Sequence, residues 1–502
     1  MPSNSSHDLN SAFQNLAQSV KALSVTRFDQ TAALQILQQW QKLAKSVALN
    51  GNVATLKLLI SLLRTLLPIY PEWEIFLHQY AGTLALLEGL YGLASKSFER
   101  QLAEARQLQN PAYVVQAQIA LAEAWLPQNQ FAQAETLLKE AFASSYQHRF
   151  YLDYIRALNR IARLCYVRRH WENGYGYSKK VLELIRTYPD KQSLAANQAE
   201  IELEEAFALH WIGCYNAVSR QWHEATRYLE ASLDVRHHHR DLLGIVETLL
   251  KVGVVYQQLG QPDKALTCCE GSLAICQQLH NLPLALQAYY YKATTYHSLG
   301  RDQEALAPAK TALEIGLPLK QPEWLACAYF VLGRVCERLG DQKSSLTCYL
   351  QAIKLYQTSD DNPQWIEILI GVGDDLLAQR ARPELWVRAL TCFKQATNLI
   401  ESNQQLEYLA PALGKIARAF LKVQGLQGVD EAIRCYRLQL RLAGDLESSV
   451  LSLSEAVALR VEALTGIQCC ASLKINPNFP EVLDKLVQIV PSSISIPLLS
   501  YN

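Results

Sequence analysis

The chain contains no phosphate-cradling GxxxxGK(S/T) segment, no GxGxxG turn, no GxSxG elbow and no HExxH pair. Each of these patterns sets a reactive or anion-binding group in a fixed backbone context. Without them, the common nucleotide-binding, hydrolase and zinc-peptidase classes lose first claim. A charge excess is also missing: 47 Lys+Arg balance 47 Asp+Glu. Nothing global therefore attracts nucleic acid or an anionic membrane. Long apolar runs are absent as well. The most apolar stretch, Leu56 to Ile69, is broken by Lys57, Arg64 and Pro68 and is too short to span a bilayer. Met1 to Asn10 is polar and lacks the basic-then-apolar pattern of a secretory signal, so a cytoplasmic protein without membrane insertion is expected. Twelve cysteines are present, yet none shows the CxxC spacing of zinc or redox sites.

What the chain does have is a ruler. Gly82, Ala122, Ala162, Gly213, Gly253, Ala293, Gly333, Gly373 and Gly414 recur at a step of 40, with departures only to 51 after Ala162 and 41 at the end. A second small residue follows each of the first seven by 12: Ala94, Ala134, Gly174, Ala225, Ala265, Ala305 and Ser345. A period this long marks a stack of supersecondary units, each packing on its neighbours. In Glu247–Leu279, Leu249, Val252, Gly253 and Tyr256 mark one helix face, Gly260 ends that helix, and Pro262 opens the next. Small residues at both marks let the two helices approach closely. Cys268, Cys348, Cys392 and Cys435 each stand three residues after a second mark; that recurrence points to small buried side chains.

Small-x2-aromatic, then Gly, then Ala, then an aromatic four later resembles the tetratricopeptide repeat. The usual repeat length is 34, and the step of 40 resembles the long-helix version found in bacterial signalling and scaffold proteins. The Gln-, Ala- and Leu-rich style is similar to bacterial arrays, cyanobacterial ones included. The resemblance implies an all-α, right-handed superhelical solenoid of about nine units over residues 74–440. Around it stand a polar N-terminal tail and first helix (1–30), a divergent helical pair or cap (31–73), an insertion near 188–198, closing helices (441–490) and a tail (491–502).

In such a stack the first helix of each unit lines the inner wall. The repeat frame places the residues three before and one after each first mark there: Asn159 and Arg163, His210 and Cys214, Tyr290 and Thr294, Phe330 and Arg334, Ile370 and Asp374, Pro411 and Lys415. Arg156 and Arg160 extend the third set into the densest basic group on any inner helix. Guanidinium clusters suit a carboxylate, a phosphate or an acidic peptide. As exposed charges, these arginines tolerate reversal to Glu without loss of folding. The Lys, Asn, Asn, Lys, Arg clamp of chaperone-tail receptors is not continued by Ile119, Ala120, Glu123 or Trp211. The run His237-His238-His239 sits in an expected loop between Arg236 and Arg240, whose charges oppose a metal cation. No cofactor or metal site is expected. The reading is a non-enzymatic scaffold, adaptor or assembly factor holding a protein or peptide, with an acidic segment of that partner as a candidate contact. Two alternatives stand beside it: a receptor that changes curvature on binding a peptide, and a helical-repeat enzyme with an unrecognised site. Oligomeric state is open.

Overall fold

A computed structural model describes residues 12–20, 30–187, 197–319, 321–356, 365–378, 383–402, 406–445 and 453–475. Every regular element among them is helical, so the chain is an all-α helical-repeat protein. Contacts divide it into two compact bodies, Met1–Leu299 and Gly300–Tyr501. The expected insertion at 188–198 falls almost wholly outside the described residues, and the 491–502 tail does so entirely.

In the N-terminal body, α1 (12–20), α2 (Gln30–Leu49) and α3 (Val53–Leu66) precede the pairs α4 (Glu74–Leu87) with α5 (Tyr91–Gln107), α6 (Pro111–Trp125) with α7 (Phe131–Gln147), and α8 (Tyr151–Val167) with α9 (Trp171–Arg186). Then come α10 (Gln198–Val218) with α11 (Trp222–His239), α12 (Leu242–Gln258) with α13 (Pro262–Leu279), and α14 (Leu282–Ser298). The C-terminal body holds α15 (Asp302–Leu319), the pairs α16 (Pro322–Arg338) with α17 (Gln342–Tyr356), α18 (Trp365–Ala378) with α19 (Pro383–Ser402), α20 (Leu406–Gln424) with α21 (Val429–Asp445), and α22 (Leu453–Ile475).

The ruler marks the places where paired helices touch. A Cβ on Gly82 would lie 2.5 Å from the Phe98 ring, one on Gly333 2.6 Å from Tyr349, and one on Gly373 2.6 Å from Phe393. Each of those aromatics stands four residues after a small residue of the second helix, so a bare backbone on one helix receives a ring from its partner. The second-mark alanines Ala94, Ala134, Ala225 and Ala305 are fully buried. Turns follow one rule. From α4 to α17, every turn whose residues are described places one residue in the left-handed region, for example Gly260 at φ +70° and Gly340 at +84°. No atom lies within 4 Å of a Cβ at either glycine, so backbone conformation rather than space is what glycine supplies there. At other turns Gln109, Asn129, Arg149 and His280 take the same conformation without it.

The cysteines pack as the repeat position suggests. All twelve thiols are free, with Cys268, Cys348 and Cys392 buried and Cys435 half-buried. Burial pushes the Cys269, Cys276 and Cys392 thiols up to about 12. The histidine run corrects the loop expectation: His237, His238 and His239 form the last turn of α11, and Arg240 at φ +56° ends it. Cationic side chains are favourable at a helix C-terminus, and His239 Nε2 lies 2.6 Å from Glu202 Oε2.

The N-terminal body also closes on itself. Leu16, Val20, Trp40 and Leu59 share one core with Leu279, and Leu242 packs against it. Asn281 Nδ2 donates to the Leu87 carbonyl at 2.9 Å, joining the α4–α5 turn to the α13–α14 turn.

Candidate functional site

The first helices of successive repeats lie side by side, α6 against α8, α8 against α10, α10 against α12 and α12 against α14. This contact decides where the expected wall residues go. The position three before the first mark points into the seam between neighbouring first helices. Asn159 is fully buried and its Nδ2 donates to the Glu204 carbonyl at 2.9 Å and to Glu204 Oε2 at 2.8 Å. His210 is buried in the next seam, with Nδ1 3.0 Å from Thr248 Oγ1. Thr248 gives its hydroxyl proton to the Gly244 carbonyl, so His210 Nδ1 must be the donor. Burial, aided by Arg236 and Lys251, holds that imidazole well below its ordinary value and therefore neutral. Tyr290, Phe330 and Ile370 are buried in the same register. The expectation that Asn159, His210 and Tyr290 face an open groove is corrected: all three are buried, and Asn159 and His210 fasten one repeat to the next.

The position one after the mark carries the charges. Arg163 Nη1 lies 3.4 Å from Glu123 on α6, and Nη2 lies 3.7 Å from Glu247 on α12. Arg160 Nη1 pairs with Glu204 at 2.7 Å, its Nε lies 3.5 Å from Glu123, and its guanidinium sits 4.2 Å over the Phe207 ring. Arg156 binds Asp153 at 2.8 Å and also Glu200, which takes Lys45 from α2 as well. Four cations (Lys45, Arg156, Arg160, Arg163) thus meet five carboxylates (Glu123, Asp153, Glu200, Glu204, Glu247). Burial works against the charge on Arg160, but Glu123 and Glu204 outweigh it and hold the guanidinium above its ordinary value. The exposed basic face expected from sequence is therefore a largely buried, internally paired network. Saturation is incomplete: Asn159 Oδ1, Arg160 Nε and Arg163 Nε are buried without a hydrogen-bond partner.

The C-terminal body repeats the same register with more solvent. Lys415 pairs with Asp374 one repeat back, and Arg418 with Glu462 one helix pair on. Arg334 Nε lies 3.7 Å from Asp375 Oδ2. Arg334 and Asp374 each keep 40% of their side-chain surface exposed, whereas Lys415 keeps 15%. Tyr349 sets its hydroxyl 2.9 Å from both Glu337 Oε2 and Asp375 Oδ2. Burial pushes the Asp375 carboxyl up to about 7, against the pull of Arg334. Of the remaining expected residues, Thr294 is half-buried and gives its hydroxyl to the Tyr291 carbonyl of its own helix.

One cluster has no counterpart in the sequence reading. Glu74 and His78 on α4 and Glu104 on α5 bring one ligand atom each within 4.8 Å of one another. The spacing Glu74-x3-His78 places both on one face of a helix and was the available signal. Glu104, on another helix, carried none.

Residues 244–316 and 328–359 match the family model of the tetratricopeptide repeat. Comparison with curated proteins gives no match. Among solved structures, a Rap protein complexed with competence and sporulation factor is 17% identical, with a TM-score of 0.50 over 73% of this chain and 99% of its own. The apo form of the quorum sensor NprR from B. thuringiensis is 16% identical, with a TM-score of 0.46 over 71% and 95%. Identities this low speak to fold alone. No helix among the described residues is long and apolar enough to cross a membrane.

Proposed function

We propose that this chain, a member of the tetratricopeptide-repeat family, is a scaffold or adaptor that holds a polypeptide segment against the first-helix face of its C-terminal body. One observation carries the reading. In the register where other charges are paired and mostly buried, Arg334 and Asp374 keep 40% of their side chains in solvent. A partner segment that presents both signs of charge can pair with both. An acidic segment alone is disfavoured, since the cations of the N-terminal body already hold carboxylates and Arg334 itself lies against Asp375.

The test is charge reversal at these two half-exposed positions. Arg334→Glu and Asp374→Lys should retain the helical circular dichroism of the parent, at a stability cost set by Asp375 and Lys415, which each variant leaves facing a like charge. Each should weaken capture of the same partner from lysate of the source cells, and added salt should weaken capture by the unchanged chain. Unaltered capture by both variants places the interface elsewhere.

A second reading is a receptor in the N-terminal body, and two observations favour it. That body is closed by the Asn281–Leu87 hydrogen bond. Its seam also holds Asn159 Oδ1, Arg160 Nε and Arg163 Nε buried without a hydrogen-bond partner, groups that an opened seam would present to a peptide backbone. The Rap protein and the quorum sensor NprR lend this reading an analogy. A change in small-angle scattering on adding a partner peptide separates it from a rigid scaffold.

A further inference from the structure

We propose that Glu74, His78 and Glu104 form a binding site for a divalent transition metal, zinc above all, that ties α4 to α5. In tetrahedral zinc sites the bonds to nitrogen and carboxylate oxygen are about 2.0–2.1 Å, which sets the ligand atoms about 3.3 Å apart. His78 Nε2 lies 3.2 Å from Glu104 Oε1 and 3.5 Å from Glu74 Oε1. Those are two edges of such a tetrahedron. The third edge, between the carboxylates, closes through Glu74, whose side chain is 52% exposed and free to move. The fourth position opens toward solvent on that side, which also gives the ion its entry.

Independent features point the same way. His78 is buried at 8% exposure, yet it faces two carboxylates. Glu104 Oε2 is buried without a hydrogen-bond partner, and so is the side-chain oxygen of Gln101 one turn earlier on α5. Arg100 and Arg64 are near enough to act on His78, but among the described residues neither forms an ion pair with Glu74 or Glu104. A dication neutralises the two carboxylates.

The experiment uses the full chain, stripped with a chelator and titrated calorimetrically with zinc. The parent should take up zinc and gain melting temperature with it. Glu74→Gln, half-exposed and isosteric, should bind at least tenfold more weakly. Glu104→Gln should lose the same equivalent while melting no lower than the parent without metal. Cobalt substitution should show ligand-field absorption without a thiolate-to-metal band. No uptake by the parent, unchanged uptake by both variants, or a thiolate band would each overturn the proposal. The last two would move the metal to the His237–His239 run or to the cysteines.

Discussion

Neutralising either partner of the Arg160–Glu204 pair should cost far more than a surface ion pair allows. The two side chains keep 13% and 9% exposure and meet at 2.7 Å. An exposed pair contributes about 0.2–1 kcal/mol, whereas stranding one member of a buried pair costs about 3–5 kcal/mol. Each survivor here keeps some company. Arg160 retains Glu123 at 3.5 Å and the Phe207 ring at 4.2 Å, and Glu204 retains the Asn159 amide at 2.8 Å. Arg160→Met and Glu204→Gln should therefore each cost about 2–3 kcal/mol, just below the buried range. Their double variant should cost less than the sum by about 1.5 kcal/mol or more, since contacting residues couple. Urea unfolding followed by circular dichroism measures all four corners of the cycle, compared at constant m-value. Added salt should change the coupling little, because buried pairs are weakly screened. Single costs below about 0.5 kcal/mol with no coupling would refute the buried-network account and restore the solvent-facing arginines expected from sequence.

Other outcomes follow from the same geometry. Gly333→Leu, whose first added carbon meets Tyr349 at 2.6 Å, should destabilise by about 1–3 kcal/mol or more. Gly176→Ala on α9, with nothing within 4 Å of its added carbon, should stabilise by about 0.5–1 kcal/mol; thermal melts that rank the two the other way would mean the packing is misplaced. Asp375 has a raised folded pKa of about 7, so the native state binds its proton more tightly than the unfolded chain. Its contribution to stability falls as pH rises from about 4 to about 7 and is flat above that. With 22% of the side chain still reaching solvent, the fall should be about 1–2 kcal/mol; Asp375→Asn should abolish it, and a pH profile identical to the parent's would contradict the assignment. The buried thiols, Cys269 and Cys276 pushed up to about 12, should react with a thiol reagent at pH 7 orders of magnitude more slowly in the native chain than in denaturant. Rapid native reaction of several cysteines would place them at the surface.

The repeat was legible because its geometry is local. Gly82 and Phe98, or Gly333 and Tyr349, meet within one helix pair at fixed spacing, so each contact writes itself into the 40-residue step. The charged network was not legible for the opposite reason. Arg163 finds Glu123 exactly one repeat back in number yet across a helix seam, and Arg160 finds Glu204 beyond the irregular 188–198 stretch. A sequence shows the arginines as a cluster because they share a helix; it does not show that their counter-ions come from three other helices. The same geometry moved Asn159, His210 and Tyr290 from a supposed wall into seams, since the repeat frame gives the angle of a side chain on its own helix but not how closely the next helix lies. His78 was half legible through Glu74 at the preceding turn, and Glu104 entered only with the α4–α5 packing.

Partner binding on the first-helix face of the C-terminal body is tested most directly by photo-crosslinking in the source cells. A photoreactive residue replaces Arg334 in one chain and Lys343, exposed on the second helix α17, in another. Crosslinks to one discrete polypeptide from position 334 and none from position 343 are the predicted result. The same polypeptide captured only from position 343 would contradict the account and place the partner on the second-helix side.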